Sequence, residues 1–298
     1  MSAGHGHGSA GTRHRWRLVV AFALTAGFFS VELVAGLLSQ SLALLADAGH
    51  MAADVVTLGM ALLATSIATR PDRTGRRTFG SYRAEIFASG FAVLMMAGVS
   101  VYIAIEAFGR LGQPAEPASG VMLVVGVVGL AVNIVALLLL RGGAGESLNV
   151  KGAYLEVMAD ALGSVGVIAA GLLITFTGAA VWDTVIALAI AVFVLVRAVM
   201  LGREVLAVLG QHAPKDVEPA DIVRALEELP GVDDVHDLHV WTLTSGMDVA
   251  TAHLTTAEQA DSQVVLDAAT EVLRTRFGIA HATLQVESAD HTCEGATW

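Results

Sequence analysis

The segment Leu45-Ala46-Asp47-Ala48-Gly49-His50-Met51-Ala52-Ala53-Asp54 sets two acids and a histidine in an otherwise apolar run. On a helix, His50 and Asp54 are i, i+4 and share one face a turn apart, and Asp47, three residues earlier, joins that face. Glu156-Val157-Met158-Ala159-Asp160 repeats the i, i+4 spacing with two carboxylates, and His50 is the only histidine between residues 15 and 211. Two helices meeting on these faces offer one nitrogen and three carboxylates, a four-ligand set for a divalent cation. The bland alternative is a set of hydrogen-bonding groups between packed helices. Two such pairs in stretches nearly free of other charge favour the site, because an ionisable group in lipid is costly and marks function by default.

The elements that must position these residues are membrane spans. The chain has 298 residues, of which 55% are apolar and 15% charged, against about 25% charged in an ordinary soluble domain. Mean hydropathy is +0.67. Disorder and a secreted disulfide scaffold are excluded, and the sole cysteine, Cys293, leaves no intramolecular disulfide. Six apolar stretches are long enough to cross a bilayer: residues 17–38, 42–67, 85–109, 119–140, 153–177 and 181–201. The first 15 residues are polar, and the apolar run after them is too long for a cleavable signal. Arg13, Arg15 and Arg17, then Arg70, Arg73, Arg76, Arg77 and Arg83, then Arg141 and Lys151, and finally Arg203 all fall on one side of a six-span topology. Short cytoplasmic loops collect Lys and Arg, so both termini are expected in the cytoplasm.

Charge divides the chain. Residues 1–209 hold 12 acids and 13 bases, a net of +1, whereas residues 210–298 hold 16 acids and 4 bases, a net of −12. The acidic part reads as a helix over Asp221–Leu229, strands over Val235–Leu243 and Val249–Thr255, a helix over Ala260–Phe277 and a last strand over Ala282–Glu287. The order α-β-β-α-β predicts a small α+β, ferredoxin-like layer of helices on an antiparallel sheet. The expected fold class is thus a membrane α-helical protein: six transmembrane helices, then that small cytoplasmic domain. The expected boundaries are 1–15 for a disordered tail bearing His5 and His7, 16–208 for the membrane domain, 209–290 for the cytoplasmic domain and 291–298 for a C-terminal tail. Asn133, polar at membrane depth, is a candidate support for the site, as is Asp47.

The stretch Ser41–Asp54, the stretch Asp160-Ala161-Leu162-Gly163-Ser164-Val165-Gly166, the run Val235–Trp241 and the run His281–Glu287 together resemble the cation diffusion facilitators, proton-coupled zinc exporters. The resemblance covers residues 16 to about 290. It implies a homodimer in the cell membrane with one transport site per protomer between spans 2 and 5. His50, Asp54 and Asp160 match the family's transport ligands; Glu156 stands where zinc-transporting relatives usually carry histidine. A carboxylate there still binds zinc, but it makes the site harder and weakens discrimination against manganese or iron. The implied function is proton-coupled export of a divalent cation, Zn2+ first, with Mn2+, Fe2+, Co2+ or Cd2+ as alternatives. A non-transporting metal sensor is the remote one. Three clustered carboxylates in a low-dielectric site cannot all stay ionised without a cation, so the site is expected to hold either protons or one metal ion.

The resemblance further implies that His236, His253 and Glu287 form a cytoplasmic metal site that reads the metal as a regulatory ligand, with His291 and Cys293 able to add a nitrogen and a thiolate. The segment Asp72–Arg83 has no histidine and four arginines, so no metal is expected there. Those arginines read as topology and lipid-headgroup residues. No span carries His-Glu-x-x-His, so no intramembrane metallohydrolase is expected, and the acidic soluble part gives no reason to expect nucleic acid.

Overall fold

A computed structural model describes residues 10–68, 76–110, 117–142 and 148–288. The chain forms two compact units, one from residues 1–63 and 88–202, the other from 64–87 and 203–298. Six long helices come first: α1 (Ala10–Ser39), α2 (Leu42–Ala68), α3 (Ala84–Arg110), α4 (Ser119–Arg141), α5 (Leu148–Thr177) and α6 (Val181–Leu209). Among the described residues, segments of α1, α3, α4, α5 and α6 are long and apolar enough to cross a membrane. α2, 27 residues long, carries Asp47, His50 and Asp54 in its first half. The helices outrun the apolar stretches, because hydropathy marks where lipid contact ends and not where the hydrogen-bond ladder stops. Thus α6 continues through Arg203 and Glu204 to a left-handed turn at Gln211 (φ 58°). There the His212 N–H donates to the Ala207 carbonyl (2.9 Å) and the Gln211 N–H to that of Val208 (3.2 Å), closing the helix in a Schellman arrangement.

Within the first unit, α4 packs along α5 on a seam of small residues. A Cβ at Gly126 would lie 2.8 Å from Ile168, and one at Gly129 would lie 3.0 Å from the Ser164 hydroxyl. In lipid such close approach replaces the hydrophobic drive that water would supply. Asn133 is buried on the same face of α4 and donates to Ser164 Oγ (3.4 Å). The start of α2 is held from α6. Asp183 accepts from Ser41 Oγ (2.6 Å) and from the backbone N–H groups of Leu42 (2.7 Å) and Ala43 (3.1 Å). Ser41 Oγ in turn accepts from the Leu44 N–H (3.2 Å), so a serine N-cap is backed by a carboxylate at the positive end of the helix dipole.

The second unit contains α7 (Pro219–Glu227), β1 (Val232–Thr244), β2 (Met247–Thr256), α8 (Ser262–Arg276) and β3 (His281–Ser288). The sheet order is β1-β2-β3. Strands β1 and β2 form an antiparallel hairpin turned at Ser245-Gly246, where Gly246 takes φ 73°. Strand β3 runs parallel to β2, which corrects the all-antiparallel expectation. The intervening α8 returns the chain across the sheet, and a strand–helix–strand crossover brings the next strand in parallel. Asp261 caps α8, accepting from Gln263 N–H (2.9 Å) and Val264 N–H (3.4 Å). Ile222 and Leu226 of α7 and Val265, Ala269 and Leu273 of α8 pack with Val235, Val240, Ala250 and Leu254 to form one core.

The pairing of β1 with β2 slips between His236 and His239, and Asp237 there adopts φ 51°. This bulge inverts the strand's alternation, so Val235 before it and Val240 after it are both buried in the same core. The expected alternation over Val235–Leu243 is therefore broken at Asp237, and again toward its end, where the ladder slips a second time between Thr242 and Thr244. Part of the arginine segment belongs to this unit as well. Phe79 meets the His281 ring edge-on at 5.6 Å, and Thr244 Oγ1 donates to Glu85 (3.2 Å). Arg70, Arg73 and the His5/His7 tract lie outside the described residues.

Candidate metal centres

Among the described residues, two groups of three possible metal ligands converge: His50, Asp54 and Asp160, and His236, His253 and Glu287. In each group one donor atom from every residue lies within 4.8 Å of the others.

The first group sits between α2 and α5. His50 Nε2 is 3.8 Å from Asp54 Oδ2 on its own helix and 3.7 Å from Asp160 Oδ1 on α5. Metal–ligand bonds of about 2.0–2.2 Å set tetrahedral donor atoms roughly 3.4 Å apart, so the histidine stands within a few tenths of an ångström of a ligand's spacing from each carboxylate. His50 and Asp160 are each 2% exposed. Asp54 Oδ2 and Asp160 Oδ1 are buried and accept no hydrogen bond from the described residues. Buried oxygen atoms without donors are suited to a cation.

The other predicted residues take different places. Asp47 is buried beside α5, where its carboxylate fills the space that a Cβ on Gly163 would need. Gly163 is thus required by the close approach of the acid, and Asp47 supports the helix contact without entering the trio. Glu32 of α1, fully buried, is a close neighbour of Asp47. Asn133 touches Ser164, one turn beyond Asp160, and not the ligand atoms themselves. Glu156 lies one turn before Asp160 and is engaged by Arg197 of α6 in an ion pair. Arg197 Nη1 also reaches His50 Nε2 at 2.8 Å, and Phe193, one turn earlier on α6, meets the His50 ring edge-on at 6.2 Å. The guanidinium can only donate, so Nε2 offers it a lone pair and the His50 proton sits on Nδ1. Arg197 is absent from the ligand pattern read from the sequence. Its signal is there nonetheless, as the only base in the apolar stretch 181–201.

The second group lies on the face of the C-terminal sheet away from the core. His236 pairs directly across from His253, with ring centroids 5.3 Å apart. Glu287 stands opposite Thr255, two residues along β2 from His253 and therefore on the same face. Its oxygens are 2.9 Å from His253 Nδ1 and 3.6 Å from His236 Nε2. The bulge brings in one acid that the pattern did not predict. Asp237 would face the core side of a regular strand, yet its Oδ2 lies 3.8 Å from His253 Nε2 and its Oδ1 3.0 Å from His239 Nε2. His291 and Cys293 lie outside the described residues.

Comparison with known proteins places both parts. Residues 18–209 match the cation efflux transmembrane domain, and residues 214–289 match the cytoplasmic domain of cation efflux proteins. The metal cation efflux system protein CzcD of Cupriavidus metallidurans is 44% identical over 297 residues, covering 99% of this chain and 93% of that protein. A cadmium, cobalt and zinc/H(+)-K(+) antiporter of Bacillus velezensis is 36% identical over 97% of this chain and 93% of its own length. The zinc transporter ZitB of Escherichia coli is 38% identical over 91% of this chain and 87% of its own length.

Proposed function

The chain belongs to the cation diffusion facilitator (cation efflux) family, multi-pass membrane transporters rather than enzymes, and we propose that it exports divalent metal cations, zinc foremost, in exchange for protons. The observation that carries this reading is the convergence of His50 Nε2, Asp54 and Asp160 within 4.8 Å of one another in a buried space between α2 and α5, with the histidine 3.7–3.8 Å from each carboxylate. One nitrogen and two carboxylates suit zinc, and Glu156, a turn from Asp160, supplies the fourth ligand. The relatives named for zinc alone, or for cadmium and cobalt with it, support the same cargo class. Buried carboxylates that release metal need another cation in its place, and protons meet that need. This gives the mutual exclusion of metal and protons that an antiporter uses, with rocking of helices around a fixed site as the transport step.

In this reading α2 is the sixth span, the C-terminal domain is ferredoxin-like, both termini are cytoplasmic, and the protein resides in the cell membrane as a homodimer. The match to the cytoplasmic domain of cation efflux proteins supports the last assignments. His236, His253 and Glu287 then hold a regulatory metal ion, to which His291 and Cys293 contribute. Neutralising part of the −12 charge of residues 210–298 draws two such domains together and biases the membrane part toward one orientation.

Proteoliposomes with a fixed pH gradient test the proposal against a panel of Zn2+, Cd2+, Co2+, Mn2+ and Fe2+. Metal flux coupled to proton counterflow is expected, largest for zinc. Metal flux unaffected by collapse of the gradient would reject the antiport, and absence of flux for every cation would leave the sensor reading instead.

A further inference from the structure

Arg197 places its guanidinium on the lone pair that a metal ion would use. Its Nη1 contacts His50 Nε2 at 2.8 Å, and that same Nε2 faces Asp54 and Asp160. Its other nitrogen holds Glu156. A guanidinium stays charged throughout the accessible pH range, so this is a fixed cation on a tether inside the ligand set. Its anchor and its target are one helix apart, with Glu156 on α5 and His50 on α2, and α6 carries the arginine between them.

We propose that Arg197 is a tethered competitor of the transported ion: it occupies His50 Nε2 and Glu156 when the metal is absent and must leave the histidine for the metal to bind. The proposal rests on the reading of His50, Asp54 and Asp160 as the transport site. A neutral imidazole nitrogen cannot accept from a guanidinium and donate its lone pair to a metal at the same time. Metal binding therefore draws on the fraction of molecules in which Arg197 has swung away, and the apparent affinity falls by that fraction. The same return of the guanidinium assists release on the far side, since it offers the histidine a partner as the ion departs. Arg197 is thus a specificity-setting residue that trades affinity for turnover.

The test measures Zn2+ binding to the purified full-length protein and Zn2+ flux in proteoliposomes, in a His253→Ala background that removes the C-terminal metal group, for Arg197→Met, which keeps the aliphatic stem, and for Arg197→Lys, which keeps the charge. Arg197→Met should bind Zn2+ about tenfold more tightly, which corresponds to a competent fraction of roughly one in ten in the parent. Its KM should fall and its kcat should fall with it, while Arg197→Lys stays near the parent in both. A merely structural ion pair between α5 and α6 would instead lose affinity and thermal stability together on substitution. Unchanged or weaker Zn2+ binding by Arg197→Met overturns the proposal. Should that variant not survive purification, Arg197→Gln carries the same expectation. Asp160→Ala serves as the control on the underlying reading. If it retains full Zn2+ binding and flux, the transport site has been misplaced, whereas loss in Asp160→Ala with no tightening in Arg197→Met rejects only the competitor.

Discussion

Removing the Asp183 carboxylate should loosen α2 at its first turn and so displace the site. Three donors converge on it, from Ser41 Oγ, Leu42 N–H and Ala43 N–H, at 2.6, 2.7 and 3.1 Å. Ser41, Leu42 and Ala43 are all fully buried, so water cannot take over when the acid is lost. A buried donor left without a partner costs about 1–3 kcal/mol, and loss of favourable charge at a helix N-terminus adds about 0.3–1 kcal/mol. The serine hydroxyl can rotate to another acceptor, which leaves two orphaned backbone donors. Asp183→Ala is therefore expected to cost about 3–5 kcal/mol after allowance for local relaxation. At about 2–4 °C per kcal/mol for a domain of this size, thermal unfolding of the full-length protein in detergent should move down by roughly 6–20 °C. Ser41→Ala leaves the carboxylate on both backbone donors and should cost only about 1 kcal/mol, the usual value of a helix N-cap. Because Asp47, His50 and Asp54 lie along the same helix, the Asp183→Ala protein that does fold should also transport more slowly. A shift below about 2 °C for Asp183→Ala, or an equal loss in Ser41→Ala, would refute the view that this carboxylate sets the start of α2.

Asp54→Ala and Asp160→Ala should each abolish metal efflux from vesicles, since each removes one of the converging donors; transport retained in either would exclude the trio as the site. Glu156→His should shift selectivity toward zinc over manganese and cobalt in competition flux assays, because it replaces a hard oxygen with imidazole nitrogen. In an Asp160→Ala background, added Zn2+ should still raise the melting temperature through the C-terminal group, and His253→Ala should remove most of that rise. Gly163→Ala should impair transport more than Gly59→Ala, because the Cβ at Gly163 collides with Asp47 while the one at Gly59 meets nothing within 4 Å.

What the sequence made legible was local. Hydropathy located every long helix, and the i, i+4 spacing of His50 with Asp54 put both on the face that α5 approaches. The grouping of His236 with His253 was legible only through the family resemblance: a hairpin turned at Ser245-Gly246 in unbroken register would set His236 opposite Thr255, and two slips in the ladder bring it to His253. The rest depended on contacts between residues far apart in the chain. Asp183 reads as a lone acid in a short loop, yet its partners stand 140 to 142 positions away. Arg197 reads as one charge in an apolar helix, and only the packing of α6 shows that Glu156 and His50 are its partners. The bulge at Asp237 has a subtler origin. Val235 and Val240 are five positions apart, which no regular strand can bury on one face, and the demand of the core forces the extra residue. That demand swings an acid toward His253, so a packing constraint on one face of the sheet adds a possible ligand on the other.

Charge accounting ties Arg197 to the valence of the cargo. With His50 neutral, the three carboxylates of the proposed ligand set carry −3, and a divalent ion alone would leave −1 in the bilayer. Adding Arg197, the set carries −2, and a divalent ion brings it to zero. A monovalent ion would leave −1 and a trivalent ion +1, and uncompensated charge at membrane depth is costly in either sign. The arginine that competes with the metal for His50 is therefore also the residue that brings the proposed ligand set to zero with a 2+ ion, the buried acids Asp47 and Glu32 standing outside that set. These two roles conflict only if Arg197 must leave the site entirely. Its hold on Glu156 allows it to release the histidine while keeping its charge close by, so affinity can be lowered without giving up the match to a divalent cation.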